Sequence, residues 1–481
     1  MSSSSKSKTV NGFKWGVIDN FANSGVTFLV GLVLARLLSA EEFGVLGIIT
    51  IFINLSITII DGGLATALIR KKSVNELEYN TVFYSNLCIS IFLMLLLLVS
   101  SDFIASFFEQ PILSSTLSVM SLVLLINAFS LLPKTILIRN LDFKSQAIFS
   151  LVSSLLSGII GITMAYCGFG VWSLVGQQLS RQTFLMCGYW IAGKWRPRWM
   201  FSRTCFIDLF GFGSKLLVAN LINSIFKDSF LTVIGKIYSP RDLGFYNRAE
   251  QFNTILSSNF GQIVRKVSLP SLSQIQDDEV RLRATYRKLM RYIAILSFAA
   301  VFTLAAIAEP LIIVLIGEKW LPSVKLLQIM SLYAAIYPLN MLNLNVLNLR
   351  RRSDYLLKLE IIKKILFIPV IAVGFFFKLE VMLWAAVIYY YIEFFINGWY
   401  SKRLIGYGIF DQVKDLSGVY IISMFVAILV YTMTALSLSN WLILISQLFV
   451  SVLLLVIIYK ITKQPEVEEI EEYCKTKILK K

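Results

Sequence analysis

The chain has 481 residues, of which 57% are hydrophobic and 15% are charged. Soluble globular domains carry about 25% charged residues, so this composition excludes an ordinary soluble protein. Apolar runs of about 20 residues recur from end to end, and such runs cross a hydrocarbon layer about 30 Å thick as helices. Strands of about ten residues with alternating polarity, which form membrane β-barrels, are absent. The sequence therefore predicts an all-α polytopic membrane protein.

The net charge of +16 would suit a nucleic-acid-binding protein. We exclude nucleic acid as a partner because the basic residues cluster in alternate connections between apolar runs, which is the cytoplasmic bias of membrane proteins. The same alternation predicts that both termini are cytoplasmic. The chain has no histidine, and its five cysteines show neither metal-site nor disulfide spacing. No connection is long enough for a catalytic domain, so we expect no metal, no cofactor and no enzyme activity.

The apolar runs predict about 14 membrane-spanning helices. They cover roughly residues 12–38, 43–65, 81–100, 115–138, 145–167, 170–193, 209–236, 245–267, 290–308, 323–349, 355–377, 381–401, 414–436 and 440–462. Between two of these spans, residues 274–290 carry Leu282, Tyr286 and Leu289 at helical spacing among basic residues. This pattern predicts an amphipathic helix on the cytoplasmic membrane surface, with a solvated basic loop as the alternative.

Part of the first predicted helix occurs twice. The segment 20–44 returns as 220–244 without gaps, with Asn matching Asn twice, Ser matching Ser twice, and Gly44 matching Gly244. We interpret this as an internal duplication, and in membrane transporters such repeats enclose the substrate site. Six helices per copy make the repeat parallel and pseudo-symmetric. The predicted domains are an N-terminal six-helix lobe (1–200), a C-terminal six-helix lobe (205–403), two additional membrane helices (411–463) and a cytoplasmic tail (464–481).

Polar residues inside apolar helices are the main functional signal. Those of the first helix share one face, and those of the seventh repeat that face. The candidate cavity residues are Asn20, Asn23, Thr27, Lys215, Asn220, Asn223 and Lys227. A charge at mid-membrane costs several kcal/mol unless it faces a partner or water. Lys227 therefore predicts a water-filled cavity between the halves, or alternatively an ion pair with Asp19, Asp61 or Asp228 that only locks the helices together.

Without histidine, coupling to a proton or cation would require a carboxylate inside the membrane. The candidate coupling acids are Asp19, Asp61, Asp228 and Glu250. Asp61 precedes Gly62 and Gly63, a string that predicts the end of a helix. Glu360 stands four residues before Lys364, which predicts a structural pair on one helix.

Six strings carry a family resemblance: ARLLSAEEFG at 35–44, DGG at 61–63, GFGVWSL at 168–174, FG at 210–211, GFYNRA at 244–249 and GEKW at 317–320. Together with spans arranged as six, six and two, they cover nearly the whole chain. This pattern resembles the polysaccharide-transporter branch of the multidrug/oligosaccharidyl-lipid/polysaccharide exporter superfamily, and within it the lipopolysaccharide and exopolysaccharide flippases of bacteria.

The resemblance implies two six-helix lobes in a V, alternating access and a location in the bacterial cell (inner) membrane. It implies a flippase that moves an undecaprenyl-pyrophosphate-linked repeat unit to the outer leaflet, in lipopolysaccharide, exopolysaccharide or capsule biosynthesis. Members hold the pyrophosphate with basic cavity residues, for which Lys215 and Lys227 are the candidates. The expected partners are an isoprenoid-linked oligosaccharide, membrane lipids and polysaccharide polymerase machinery. The alternative is a cation-coupled multidrug antiporter of the same fold.

Overall fold

The computed structural model describes Trp15, residues 22–193, 195–350 and 353–462, Glu466 and Glu469. Within these residues every regular element is helical, which confirms the predicted all-α class. The chain divides into two compact units, Met1–Gly244 and Phe245–Lys481. The predicted lobes, 1–200 and 205–403, are defined by the sequence repeat and not by these compact units, so their boundaries stay a prediction.

The first unit is a bundle of apolar helices. Its elements are α1 (Ala22–Leu37), α2 (Ala40–Asp61), α3 (Leu64–Arg70), α4 (Glu76–Phe107), α5 (Ile112–Met120), α6 (Leu122–Arg139), α7 (Phe143–Tyr166), α8 (Val171–Ala192), α9 (Arg203–Val233) and a π-helical turn (Ile234–Tyr238). The helices α7 and α8 pack together, as do α4 and α6. The helix α9 belongs to the second sequence copy, but it packs against α2, α3 and α4.

The second unit is built in the same way. Its elements are α10 (Pro240–Ser273, which begins in the first unit), α11 (Glu279–Ala306), α12 (Ala308–Ile316), α13 (Pro322–Ala334), α14 (Tyr337–Leu349), α15 (Ser353–Phe376), α16 (Leu379–Ile405), α17 (Ile409–Thr432) and α18 (Asn440–Ile461). Short 3₁₀ turns cover Glu318–Trp320 and Met433–Ala435. The helix α11 packs against α17, and α15 against α16.

Nine helices in the described part of the chain are long and apolar enough to cross a membrane. The helices α8 and α15 are outside that set because they carry more polar residues, including Arg181 in α8 and Lys363 in α15. The polytopic architecture is therefore confirmed, and the count of 14 spans stays a prediction.

The two sequence copies begin their second helices with the same cap. Ser39 and Glu42 form a capping box, in which each side chain accepts a hydrogen bond from the other residue's backbone N–H. Ser239 occupies the matching position, and its hydroxyl accepts a hydrogen bond from the Asp242 backbone N–H at 3.0 Å. The Ser239 hydroxyl also donates to the Asp242 carboxylate at 2.7 Å. The duplication therefore extends from residue identity to local structure.

These two helix starts also contact each other reciprocally. A Cβ atom on Gly44 would lie 1.6 Å from the Pro240 carbonyl oxygen, and a Cβ atom on Gly244 would lie 1.8 Å from the Ala40 carbonyl oxygen. Equivalent residues thus exchange equivalent contacts, which is the signature of a local two-fold relation. Only glycine permits backbones to approach this closely.

The helix α2 ends where the sequence predicts. Gly62 and Gly63 adopt φ values of +51° and +71°, a left-handed conformation that glycine adopts without strain. The chain then restarts as α3. Gly213 of α9 packs against this break, since a Cβ on Gly63 would lie 2.5 Å from the Gly213 carbonyl oxygen.

The prediction of a surface helix over 274–290 is wrong. Leu282 and Tyr286 are buried in the core of the second unit, where α11 packs against α17. The Tyr286 hydroxyl donates a hydrogen bond to Asn343 Oδ1 at 2.7 Å, and Gln412 Nε2 donates to the same oxygen at 3.0 Å. The apolar face of this segment is therefore covered by protein.

Candidate functional site

Asn23 lies on α1 beside α7 and α8. Its side-chain oxygen Oδ1 accepts hydrogen bonds from the Ser154 hydroxyl at 2.5 Å and from Arg181 Nη2 at 3.2 Å. Asn23 and Arg181 are half-buried, and Ser154 is buried. The structure thus joins one predicted cavity residue to a guanidinium that the sequence analysis did not select.

Arg181 is the eleventh residue of the 22-residue helix α8, so its Cα lies about 15 Å from either helix end. A positive charge at this depth is expensive and marks a functional position in a transporter. A guanidinium presents its donors in a planar fork that matches phosphate oxygens. Arg181 is also the one charged residue of α8, and this was the sequence signal that could have identified it.

Four predicted cavity residues share α9: Lys215, Asn220, Asn223 and Lys227, and all four side chains are exposed. At about 100° per residue, the last three lie within about 60° of one another around the helix axis. Lys227 interacts electrostatically with the adjacent Asp228, and Asp19 lies outside the described residues. Both predicted roles of Lys227, cavity cation and partner in a locking pair, therefore stay predictions.

Three other predicted residues are placed as follows. Thr27 is half-buried on α1, one turn beyond Asn23. Asn20 and Asp19 lie outside the described residues, so their roles stay predictions.

Asp228 is more enclosed than Asp61, the other candidate coupling acid that the structure describes in the first unit. The residue is 7% exposed, and in the described part of the chain its Oδ2 atom has no hydrogen-bond partner. It lines a cavity of about 420 Å³ between α2, α4 and α9, together with Phe52, Phe107 and Thr232. Because a buried carboxylate oxygen without a hydrogen bond is costly, this site favours a bound proton or cation.

Two other candidate coupling acids, Asp61 and Glu250, lie among the described residues. Asp61 has one buried oxygen, Oδ1, without a hydrogen-bond partner in the described chain. Glu250 lies on α10 in the second unit, where it interacts electrostatically with Tyr333 and Tyr390. The rings of these tyrosines stack with centroids 4.6 Å apart.

Lys363 is a buried cation in the second unit. Its side chain pairs with Glu360 on the same helix at 2.6 Å and with Glu393 of α16 at 3.3 Å. Glu360 also interacts electrostatically with Lys364, the partner that the sequence predicts. The ion pair of Lys363 with Glu393 ties α15 to α16.

Two of the strings that carry the family resemblance meet in the second unit. Trp320 is fully buried, and the Phe245 ring contacts it edge-on with centroids 5.9 Å apart. The Arg248 guanidinium lies 5.8 Å from the Trp320 ring centroid. The strings at 244–249 and 317–320 are therefore one packing cluster.

Comparison with known proteins tests the family resemblance independently of the structure. A family described as "Polysaccharide biosynthesis protein" matches residues 33–325, more than half of the chain. The succinoglycan biosynthesis transport protein ExoT of Rhizobium meliloti is 27% identical over 306 residues, which are 64% of this chain and 62% of that protein. The match thus spans less than two thirds of that relative.

Two further likenesses cover more of the chain. The lipopolysaccharide biosynthesis protein WzxC of Escherichia coli is 24% identical over 372 residues, 77% of this chain and 75% of that protein. Among solved structures, the lipid II flippase MurJ in an inward closed conformation aligns with a TM-score of 0.73 and 16% identity. That alignment covers 94% of this chain and 99% of that one, and it supports the same fold.

Proposed function

The chain belongs to the polysaccharide biosynthesis protein family, and we propose from this premise that it is a flippase for a lipid-linked oligosaccharide. Its cargo would be an undecaprenyl-pyrophosphate-linked repeat unit, moved from the cytoplasmic to the outer leaflet by alternating access. The relatives named for succinoglycan transport and lipopolysaccharide biosynthesis support this cargo class. The protein would lie in the bacterial inner membrane with both termini cytoplasmic, and polysaccharide polymerase machinery would receive its product.

The observation that carries this proposal is Arg181 at mid-depth in α8, oriented by Asn23. The cargo head carries phosphate charges that lose their hydration inside the membrane. A guanidinium at that depth offers paired donors to phosphate oxygens and lowers the cost of this step. Lys215 and Lys227, exposed on α9, are additional cations for the same head group.

The membrane potential would assist this movement. An anionic head moving outward travels with an inside-negative potential, at about 2.3 kcal/mol per charge per 100 mV. A proton or cation bound in exchange would add to the driving force. We propose Asp228 for that role, because its buried carboxylate faces a cavity.

Complementation of a deletion strain tests the anion site. The strain should accumulate lipid-linked glycan at the cytoplasmic face, and the wild-type gene should clear it. We expect Arg181→Gln to lower transport about 10- to 100-fold, since a hydrogen bond to a charged group is worth about 1.5–3 kcal/mol. Arg181→Lys should retain an intermediate activity. Full activity of Arg181→Gln at normal protein abundance would remove Arg181 from the site.

A matched control is Arg403→Gln, which removes one exposed positive charge at the end of α16. It should transport like wild type. Asp228→Asn tests coupling: transport should become independent of the external pH and sodium concentration. An unchanged pH and sodium dependence in this variant would exclude Asp228 as the coupling group.

A further inference from the structure

An apolar groove of about 630 Å³ runs along α4 in the first unit. Its walls are Tyr84, Ser85, Cys88 and Ile89 of α4, Trp199, Met200 and Phe201 of the linker 195–202, and Phe206 of α9. Four of these eight side chains are aromatic. The groove is separate from Arg181, Asp228 and the exposed face of α9.

The linker wall is held in place by hydrogen bonds to two buried side chains of α4. The Arg198 backbone N–H donates to Asn80 Oδ1 at 2.6 Å, and the Ser202 backbone N–H donates to Thr81 Oγ1 at 3.1 Å. Asn80 and Thr81 are fully buried in α4. The wall is therefore preformed, although the linker has no regular secondary structure.

Trp199 forms the outer edge of the groove. Its ring stacks on Tyr84 with centroids 5.2 Å apart, yet the residue is 93% exposed. Trp and Tyr concentrate at the level of lipid head groups, so this pair places the groove mouth at the membrane interface. From Tyr84 to Ile89 the groove extends about 8 Å along α4 from that interface. At this depth the available ligands are hydrocarbon chains.

Basic residues neighbour the groove's aromatic residues in the chain. Arg196, Arg198 and Arg203 flank Trp199 and Phe201, and all three are exposed. Glu76 pairs with Arg198 at 2.6 Å, which leaves a positive balance among these four groups. Basic residues beside a lipid-depth groove complement an anionic head group.

We propose that this groove holds the isoprenoid chain of the cargo in the cytoplasmic leaflet, with the cargo phosphate beside the exposed Arg198, which precedes Trp199. This inference rests on the proposed flippase function. An isoprenoid presents a planar double bond in every five-carbon unit, and the aromatic walls offer stacked and edge-on contacts to those planes. The groove would capture the cargo before its head group enters the protein.

Native cysteines provide a direct test. Cys88 lines the groove, whereas Cys187 on α8 does not, and both are exposed. Two variants would each keep one of these cysteines, with serine at the other cysteine positions. The rate of N-ethylmaleimide modification would be measured by mass spectrometry in detergent, with undecaprenyl phosphate or with phosphatidylglycerol at equal concentration.

Undecaprenyl phosphate should slow modification of Cys88 at least fivefold and leave Cys187 unchanged, while phosphatidylglycerol should protect neither. Equal protection of Cys88 by both lipids would overturn the proposal in favour of a general anionic-lipid groove. Absence of protection, or equal protection of both thiols, would also overturn it.

Transport with two cargo lengths separates this inference from the function on which it rests. Trp199→Ala should raise the KM for an undecaprenyl-linked cargo about tenfold, the equivalent of one lost aromatic contact surface, with kcat retained. A geranyl-linked cargo, too short to fill the groove, should be transported equally by wild type and variant. Trp399→Ala, at another exposed tryptophan near the end of α16, should change neither value.

If Trp199→Ala affects both cargoes equally, the groove does not bind the chain. If wild-type protein moves neither cargo, the flippase function itself fails, and the cysteine protection result then stands on its own.

Discussion

A methyl group added at Gly44 would lie 1.6 Å from the Pro240 carbonyl oxygen. Ordinary van der Waals contact begins near 3.4 Å, so Gly44→Ala requires the two helix starts to separate by up to about 1.8 Å. No side-chain rotation can relieve this clash, because the obstructing atoms belong to the backbone. The reciprocal change, Gly244→Ala, meets the Ala40 carbonyl oxygen at 1.8 Å and should have the same effect.

The expected loss of stability follows from two opposing effects. Overpacking costs about 1–3 kcal/mol when side chains can adjust, and more when they cannot. Alanine regains about 1 kcal/mol over glycine through its helix propensity. We therefore expect each single variant to lose about 2–3 kcal/mol of unfolding free energy. Once the helix starts have separated, the second methyl group finds space, so the double variant should lose little more than either single variant.

Thermal unfolding of the detergent-purified protein, followed by tryptophan fluorescence, would measure these differences. We expect each single variant to unfold roughly 2–3 °C below wild type, because the unfolding entropy is about 2.1 cal/mol/K per residue over the whole chain. Gly25→Ala is the matched control, because a Cβ there has no heavy atom within 4 Å. Unfolding temperatures for Gly44→Ala and Gly25→Ala that coincide, or strictly additive losses in the double variant, would refute the reciprocal contact.

Two further predictions concern charged groups. Lys363→Met leaves Glu360 and Glu393 without their shared cation and should cost about 3–5 kcal/mol of stability, seen as a reduced folded fraction in size-exclusion chromatography. Adding Glu360→Gln and Glu393→Gln should restore most of the folded fraction. If these two changes restore nothing, the pairing is contradicted. Lys236 pairs with Glu109 at 2.7 Å and holds the pKa of that carboxyl below its ordinary 4.5. Because the folded-state pKa is the lower one, this contribution is complete above pH 4.5 and is lost as the pH falls through the lowered value. Glu109→Gln should therefore flatten the unfolding temperature in that acidic range, and identical acid profiles for wild type and variant would contradict the assignment.

The duplication could be predicted from the sequence because the same residues recur at one fixed spacing between 20–44 and 220–244. Ser39 and Ser239 each precede an acidic residue by three positions, which is the local signature of a capped helix start. A helix cap depends on residues close together in the chain, so one sequence is enough to predict it. The meeting of Gly44 with Pro240 could not be read there, because a close backbone contact between distant segments leaves no periodic pattern.

Arg181 illustrates a different limit. Its position as the one charge in an otherwise uncharged helix was visible, but its partner Asn23 is 158 residues away. The sequence therefore directed attention to Lys227, whose repeat context is stronger. The structure leaves Lys227 exposed and gives Arg181 a defined hydrogen bond within a bundle of three helices. The hydrogen bond to Asn23, which one sequence does not reveal, thus places Arg181 ahead of Lys227 among the candidate anion-binding residues.

The segment around Tyr286 shows why helical periodicity alone misassigned a surface. Apolar residues at helical spacing fit a lipid-facing helix and a protein-facing helix equally well, because both neighbours are apolar. The two cases differ in what satisfies the polar atoms on that face. The Tyr286 hydroxyl donates a hydrogen bond to the side-chain oxygen of Asn343, 57 residues away, and the Gln412 side chain donates to the same oxygen. Buried amides of this kind are costly in contact with lipid and favourable only where a second helix brings a partner. Polar residues on the apolar faces of two separate helices are thus a better indication that those faces pack together than the spacing of either face alone.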